Sequence, residues 1–210
     1  QPIIDLSTGK THGYEALVRW EDPERGLLKP DQFSSIFADP VLAPQLTEHV
    51  CTQALSTLSQ RHTARPDVRE KISINVTSFE VLDHEFVFDL ELMMAETGLD
   101  WSTLTLEITE GIMLSSISEQ SFRTLTELRS RGVKVALDDF GTGYSSLTYL
   151  QRFKFDKLKI DRGFVNPLAR DTESQALVQA IVALGRALDM TLLAEGVETE
   201  EQRVLLRLAG

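Results

Sequence analysis

Three features of the 210-residue chain predict an α/β fold, a parallel sheet with helices outside it. Short apolar runs alternate with longer stretches whose apolar residues recur at helical spacing. In the second half the runs return about every 30 residues, the size of a βαβ unit. Helix punctuation falls between the runs. This spacing leaves open both a doubly wound sheet and a closed (β/α) barrel. No Gly-rich turn follows an early strand, so a dinucleotide-binding version has no support.

The strand-like runs are 1–4, 14–20, 71–76, 104–109, 133–139, 157–161 and 191–197. Helical spacing covers 45–58, 86–97, 119–131, 173–188 and 200–208. Ser116 with Glu119 and Thr199 with Gln202 read as capping boxes. Gly98 and Gly132 stand where a helix C-cap favours glycine.

With 42% hydrophobic and 25% charged residues, the composition is that of an ordinary globular chain. No apolar run approaches the ~20 residues that span a bilayer, and no signal segment opens the chain. A net charge of −11 argues against a nucleic-acid backbone as partner. A small phosphate ligand stays compatible, because bound metal inverts the local sign. The single Cys51 cannot form an internal disulfide and reads as core packing in a cytoplasmic domain. The chain opens on a strand-like run without Met, so residues 1–210 are expected to be one domain, a fragment of a longer protein.

Period-two reading separates an oily from a polar face in each strand. Glu107 opposes Leu104, Leu106 and Ile108, and Asn75 opposes Ile72, Ile74 and Val76. Asp138 opposes Val135 and Leu137, while Lys159 and Asp161 oppose Leu158 and Ile160. Glu15, Leu17 and Arg19 oppose Ala16, Val18 and Trp20, and Glu195 stands near the end of the last run. If the oily faces pack on helices, the polar groups look inward near the C-terminal strand ends, where barrel sites assemble. Carboxylates crowded there repel unless paired. Oxygen ligands without His or Cys select hard cations such as Mg²⁺ or Mn²⁺. Adjacent Asp138 and Asp139 could serve two ions, one carboxylate bridging. His12, His49, His62 and His84 fall outside this set.

These residues resemble the motifs of the EAL-domain phosphodiesterases. They are YEALVRW at 14–20, ISINVTSFEVL at 72–82, LTLEITE at 104–110, VALDDFGTGYSSL at 135–147, KLKIDRGFV at 157–165 and LLAEGVETEEQ at 192–202. The resemblance covers nearly the whole chain in order. It implies a modified (β/α)₈, TIM-like barrel that hydrolyses cyclic di-GMP to linear pGpG and so ends a bacterial second-messenger signal. It also implies two Mg²⁺ or Mn²⁺ ions, with Ca²⁺ inhibitory.

Carried over by position, Glu15, Asn75, Glu107 and Asp138 resemble ligands of one metal. Asp138 and Asp139 resemble the bridge to a second, which Glu195 completes. Lys159, with Glu195 and Asp139, resembles the group acting on the attacking water. Leu17, Arg19 and Asp161 resemble substrate contacts, and Glu110, Glu198, Gly141 and Gly143 resemble supporting residues. Implied partners are cyclic di-GMP, a second copy docked near 145–153, where Tyr144, Leu147, Tyr149, Leu150 and Phe153 would offer apolar surface, and an upstream sensory or diguanylate-cyclase-like domain.

Two departures stand out. Residues 36–50 differ from the family's usual helix there, and the eighth strand with its active-site Gln is lacking. Because a (β/α)₈ barrel runs to about 250 residues, the parent is expected to continue beyond Gly210. Two other functions fit the same residues: an inactive EAL barrel serving as a cyclic di-GMP receptor, and a barrel enzyme in which Lys159 abstracts a proton beside a carboxylate.

Overall fold

Strand and helix alternate as the periodicity requires, and the elements gather into two units. The computed structural model describes residues 1–115, 119–141, 150 and 152–210. The first unit comprises Gln1–Ile4, Thr11–Leu106 and Ser118–Val133; the second comprises Asp5–Lys10, Glu107–Ile117 and Lys134–Gly210.

In the first unit, β1 (Pro2–Ile4) pairs antiparallel with β2 (Thr11–Ala16), and β2 pairs parallel with β5 (Lys71–Asn75). The first half of β6 (Leu104–Thr109) follows in the strand order. β3 (Trp20–Asp22) and β4 (Gly26–Leu28) form a separate antiparallel hairpin. The sequence pattern predicts one strand over 14–20, but β2 stops at Ala16. Its last ladder partner is Ile74, one residue before β5 ends, so residues 18–20 have no strand to continue along. Trp20 opens the hairpin instead and sets its ring edge-on to Phe33.

Helix α1 (Leu42–Ala64) buries Ala43, Thr47, Cys51, Leu55 and Leu58 along one face. It starts before the expected residue 45 because Pro44 sits in the first turn, where a missing N–H is harmless. The Asp39 carboxylate accepts the Val41 and Leu42 amides at 2.8 and 3.0 Å. Burial pushes the Cys51 thiol up to about 12, in keeping with a packing role. The unit also holds α2 (Ser78–Leu82), α3 (Glu85–Thr97) and α5 (Glu119–Arg131). Gly98 closes α3 in the left-handed region, as its position suggested. Ser116 lies outside the described residues.

The second unit takes the rest of β6, then β7 (Lys134–Phe140), β8 (Lys157–Ile160) and β9 (Thr191–Ala194), in that order. β7 pairs parallel with β8, and β8 with β9. Helices α4 (Glu110–Ser115), α6 (Arg162–Val165), α7 (Thr172–Ala187) and α8 (Glu200–Ala209) complete it. Val135, Leu137, Leu158 and Ile160 are buried on one face and Ala136, Asp138 and Lys159 on the other, the outcome expected of a parallel sheet covered on both faces. Leu150 and Phe153 were expected to offer apolar surface to a second copy. Both are buried, and Phe153 packs edge-on to Phe155, so neither contributes an exposed patch. Tyr144, Leu147 and Tyr149, invoked with them, lie outside the described residues. No helix among the described residues is long and apolar enough to cross a membrane.

An ion cluster ties α1 to the strands beside it. Buried Glu70 accepts from Arg61 at 2.7 Å through both carboxylate oxygens, from Arg65 at 2.9 Å and from the Tyr14 hydroxyl at 3.2 Å. Hydrogen bonding from Arg61 holds the Glu70 carboxyl below its ordinary value against the cost of burial. A lowered carboxyl contributes stability above its unfolded value, and that contribution fades as pH falls through the folded one. Glu70→Gln should therefore destabilise the protein at pH 7 and much less in strong acid. Urea melts of both proteins at pH 7 and near pH 2 check this; an equal gap at both would refute it.

Candidate metal centre

Three strands and one loop of the second unit deliver charged side chains to one point. Lys159, on β8, is fully buried. Its ammonium donates to Glu107 Oε2 on β6 at 2.5 Å and to Asp138 Oδ2 on β7 at 2.9 Å. It also pairs with Glu195 Oε1, just beyond β9, at 2.7 Å. The alternation within β6, β7 and β8 accounts for three of these four placements. Glu195 differs: β9 stops at Ala194 rather than running to 197, and Glu195 is the first loop residue. Its amide still reaches the Ile160 carbonyl at 3.1 Å, so the loop starts in line with β8.

Asp138 and Asp139 pose a geometric problem, since neighbours on a regular strand point to opposite faces. The register resolves it. Leu137 faces Leu158 and Phe140 faces Ile160, so β7 advances three residues while β8 advances two. This is a β-bulge. Asp139 takes a left-handed φ of 54°, a conformation Asp tolerates better than most residues. The doublet DD was the available sequence signal, but regular alternation could not reveal the bulge. Burial first, then the Asp138 and Asp161 charges, push the Asp139 carboxyl above its ordinary value.

Asp138, Asp139 and Glu195 each place one carboxylate oxygen within 4.8 Å of the other two. Glu107, Asp138 and Glu195 thus hold the Lys159 ammonium, and Asp139 stands beside the last two. Such a set offers only hard oxygen donors, which fits a divalent cation of the Mg²⁺ or Mn²⁺ type.

The remaining expected residues fall around this core or in the first unit. Glu110, buried at the start of α4, accepts the Gly141 amide at 3.1 Å and so anchors the turn after β7. Gly141 has a φ of +92°, and a Cβ there would lie 3.1 Å from the Phe164 ring. Gly143 lies outside the described residues. Asp161 caps α6 by accepting the Gly163 amide at 2.8 Å. Glu198 is exposed, and its amide donates to the Gln202 side chain. In the first unit, the Asn75 amide donates to Glu15 Oε1 at 3.1 Å. Leu17 and Arg19 lie past the end of β2 and line a groove of about 530 Å³ with His49, Gln53 and other residues of α1. Their expected strand alternation with Glu15 therefore does not apply. His12, His49, His62 and His84 all lie in the first unit.

Parallel strands that deliver oxygen donors near their C-terminal ends define an α/β protein with a carboxylate centre suited to a hard cation. Known proteins narrow the class. The EAL domain model matches residues 1–210, and the chain belongs to the EAL-domain family. Its fold is the TIM-like barrel architecture of that family, modified by the antiparallel β1.

The bifunctional diguanylate cyclase/cyclic di-GMP phosphodiesterase MucR of Pseudomonas aeruginosa is 39% identical over 214 residues, spanning 100% of this chain and 30% of its own. A solved MucR phosphodiesterase complex with c-di-GMP superposes with a TM-score of 0.91 at 38% identity, covering 100% of this chain and 84% of that one. The EAL enzyme Bd1971, bound to cAMP and cyclic di-GMP, gives 0.93 at 33% identity, with coverage of 100% and 57%. Klebsiella pneumoniae BlrP1, in a calcium and cy-diGMP complex, gives 0.78 at 29% identity, with coverage of 100% and 51%. The chain thus spans about a third or less of MucR and of the other curated relatives it matches.

Removing the central ammonium should expose the repulsion it masks. Lys159→Met keeps the bulk of the side chain and should cost about 3–5 kcal/mol in metal-free buffer, the range for breaking a buried ion pair on one side. Millimolar Mn²⁺ should recover most of this by binding the folded state alone. Thermal melts with chelator and with Mn²⁺ check both; a variant as stable as the parent in chelator would contradict the charge argument.

Proposed function

We propose that the chain hydrolyses cyclic di-GMP to linear pGpG, using two divalent cations. The observation that carries the reading is the cage itself: a buried lysine held by three carboxylates, beside a bulge that turns two consecutive aspartates to use. Relatives named for cyclic di-GMP phosphodiesterase activity support the choice of substrate. Asp138, Asp139 and Glu195 are proposed to hold one ion, with Glu107 also a ligand. Glu15 and Asn75, already bonded to each other, are proposed as ligands in their own right. Bound ions would supply charge neutralisation at the phosphodiester and a water of lowered pKa.

The chain's own groups have distinct tasks. Lys159 orients the attacking water and helps draw off its proton, together with Asp139 and Glu195. The water oxygen forms the new bond to phosphorus, the bond from phosphorus to the ribose 3′-oxygen breaks, and that oxygen leaves with a proton. Leu17, Arg19 and Asp161 contact the dinucleotide, Arg19 by charge on a phosphate. Glu110, Gly141, Gly143 and Glu198 keep the loops in place. The chain is read as one domain, 1–210, of a longer cytoplasmic signalling protein that dimerises and carries an upstream sensory or diguanylate-cyclase-like domain.

Chromatography of the products decides the reaction. The protein should release linear dinucleotide with Mg²⁺ or Mn²⁺, little with Ca²⁺, and none after chelation. Glu15→Gln and Asp138→Asn should abolish release while melting as folded proteins. Tight cyclic di-GMP binding with no product in any metal would make the chain a receptor instead.

Lys159→Ala tests the role of the lysine. Turnover should fall by about a hundredfold or more, within the range for acid–base groups, while cyclic di-GMP affinity measured in Ca²⁺ changes far less. A matched loss of affinity and turnover would make the lysine a charge balancer only.

A further inference from the structure

Glu195 is the one member of the Lys159 cage that lies off a strand, so something else must fix it. One side is held by the bond from its amide to the Ile160 carbonyl. The other side leads into the loop between β9 and α8, against which Gln202, in the first turn of α8, is buried. The Gln202 side-chain oxygen accepts the amides of Glu198 and Thr199 at 2.8 and 2.9 Å. Its nitrogen donates to the carbonyls of Val165 and Asn166, at the end of α6, at 3.2 and 3.3 Å. A side-chain amide has two N–H groups and an oxygen with two lone pairs, and here all are used. The partners fix its orientation, since two donors face the oxygen and two acceptors face the nitrogen.

Of the Gln202 side chain, a capping box needs only the bond from Thr199 N, the Gln202 backbone amide donating back to the Thr199 hydroxyl at 3.2 Å. The bond to Glu198 N and the two to α6 go further, tying the loop after β9 to the helix after β8. Gly196 marks the same junction independently. Its φ is +68°, and a Cβ there would lie 2.9 Å from Arg162 Cβ and 3.3 Å from Asn166 Oδ1. The loop therefore rests directly on α6, with no room for a side chain between them.

We propose that Gln202 is a positioning residue for the Glu195 carboxylate, and so for the divalent cation proposed above to be held with Asp138 and Asp139. Its kinetic consequence rests on the phosphodiesterase reading; its effect on the loop does not. Outer residues that orient metal ligands typically change affinity or activity by about 10–100-fold.

The informative substitution is Gln202→Glu. It keeps the acceptor oxygen of the capping box but turns a carboxylate oxygen toward the two α6 carbonyls. Asp171→Ala, which strips the cap from α7, serves as a control for lost stability. Gln202→Glu should bind Ca²⁺ at least about tenfold more weakly than the parent by calorimetry and lower kcat in Mg²⁺ with KM little changed. Asp171→Ala should melt earlier yet keep both values. Parental Ca²⁺ affinity in Gln202→Glu, or an equal loss in Asp171→Ala, overturns the proposal. A parent that neither binds Ca²⁺ nor cleaves cyclic di-GMP overturns the functional reading instead. Amide exchange in the metal-free protein then decides the role of Gln202. Exchange across residues 195–199 should quicken in Gln202→Met and not in Asp171→Ala; parental exchange in Gln202→Met overturns the proposal.

Discussion

The second unit is organised around one electrostatic constraint: a fully buried ammonium shared by three carboxylates, with a fourth beside them. Neither sign survives burial alone, because an isolated charge loses far more hydration than packing returns. The lysine needs the acids to enter the interior charged, and the acids need the lysine to approach one another. Each partner comes from a different element, so β6, β7, β8 and the start of the loop after β9 must all be in register before the charges balance. A slip of one residue in any of these strands would turn its charged group onto the oily face.

Much of this was legible in the sequence because the signal is periodic. Glu107, Asp138 and Lys159 each oppose a run of buried aliphatics, and period two alone placed them on the polar face. The limits of the strands were less legible, because ladder partners set them rather than composition. Residues 17–20 remain strand-like in type, yet β5 ends one residue past the partner of Ala16, so an alternation carried on to Arg19 had no strand to act on. Glu195 has a related history, since 191–197 reads as one strand but only Thr191–Ala194 pairs.

Other features were invisible for a different reason. A bulge is a mismatch between two strands, and one strand read by itself contains no trace of its partner's register. The spacing of Thr199 and Gln202 announced a capping box, and that box forms. Nothing in the pair announced that the Gln202 amide would also reach α6, because Val165 and Asn166 lie far away in sequence. Phe153 shows the converse. A cluster of aromatic and aliphatic residues can belong to an interface or to the core, and here its ring stacks edge-on to Phe155.

The extra residue in β7 also bears on how such a centre is gained and lost in evolution. A strand with strict alternation can present one aspartate of a consecutive pair, never both. The second becomes usable only through an insertion, so the doublet is a change of chain length rather than of residue type. Loss follows the same route in reverse: an in-frame deletion at 139 would restore even pleating while leaving the Lys159 contacts to Glu107 and Asp138 in place. A protein altered in that way would keep the lysine cage but lose one of the three clustered carboxylate donors, Asp139 beside Asp138 and Glu195.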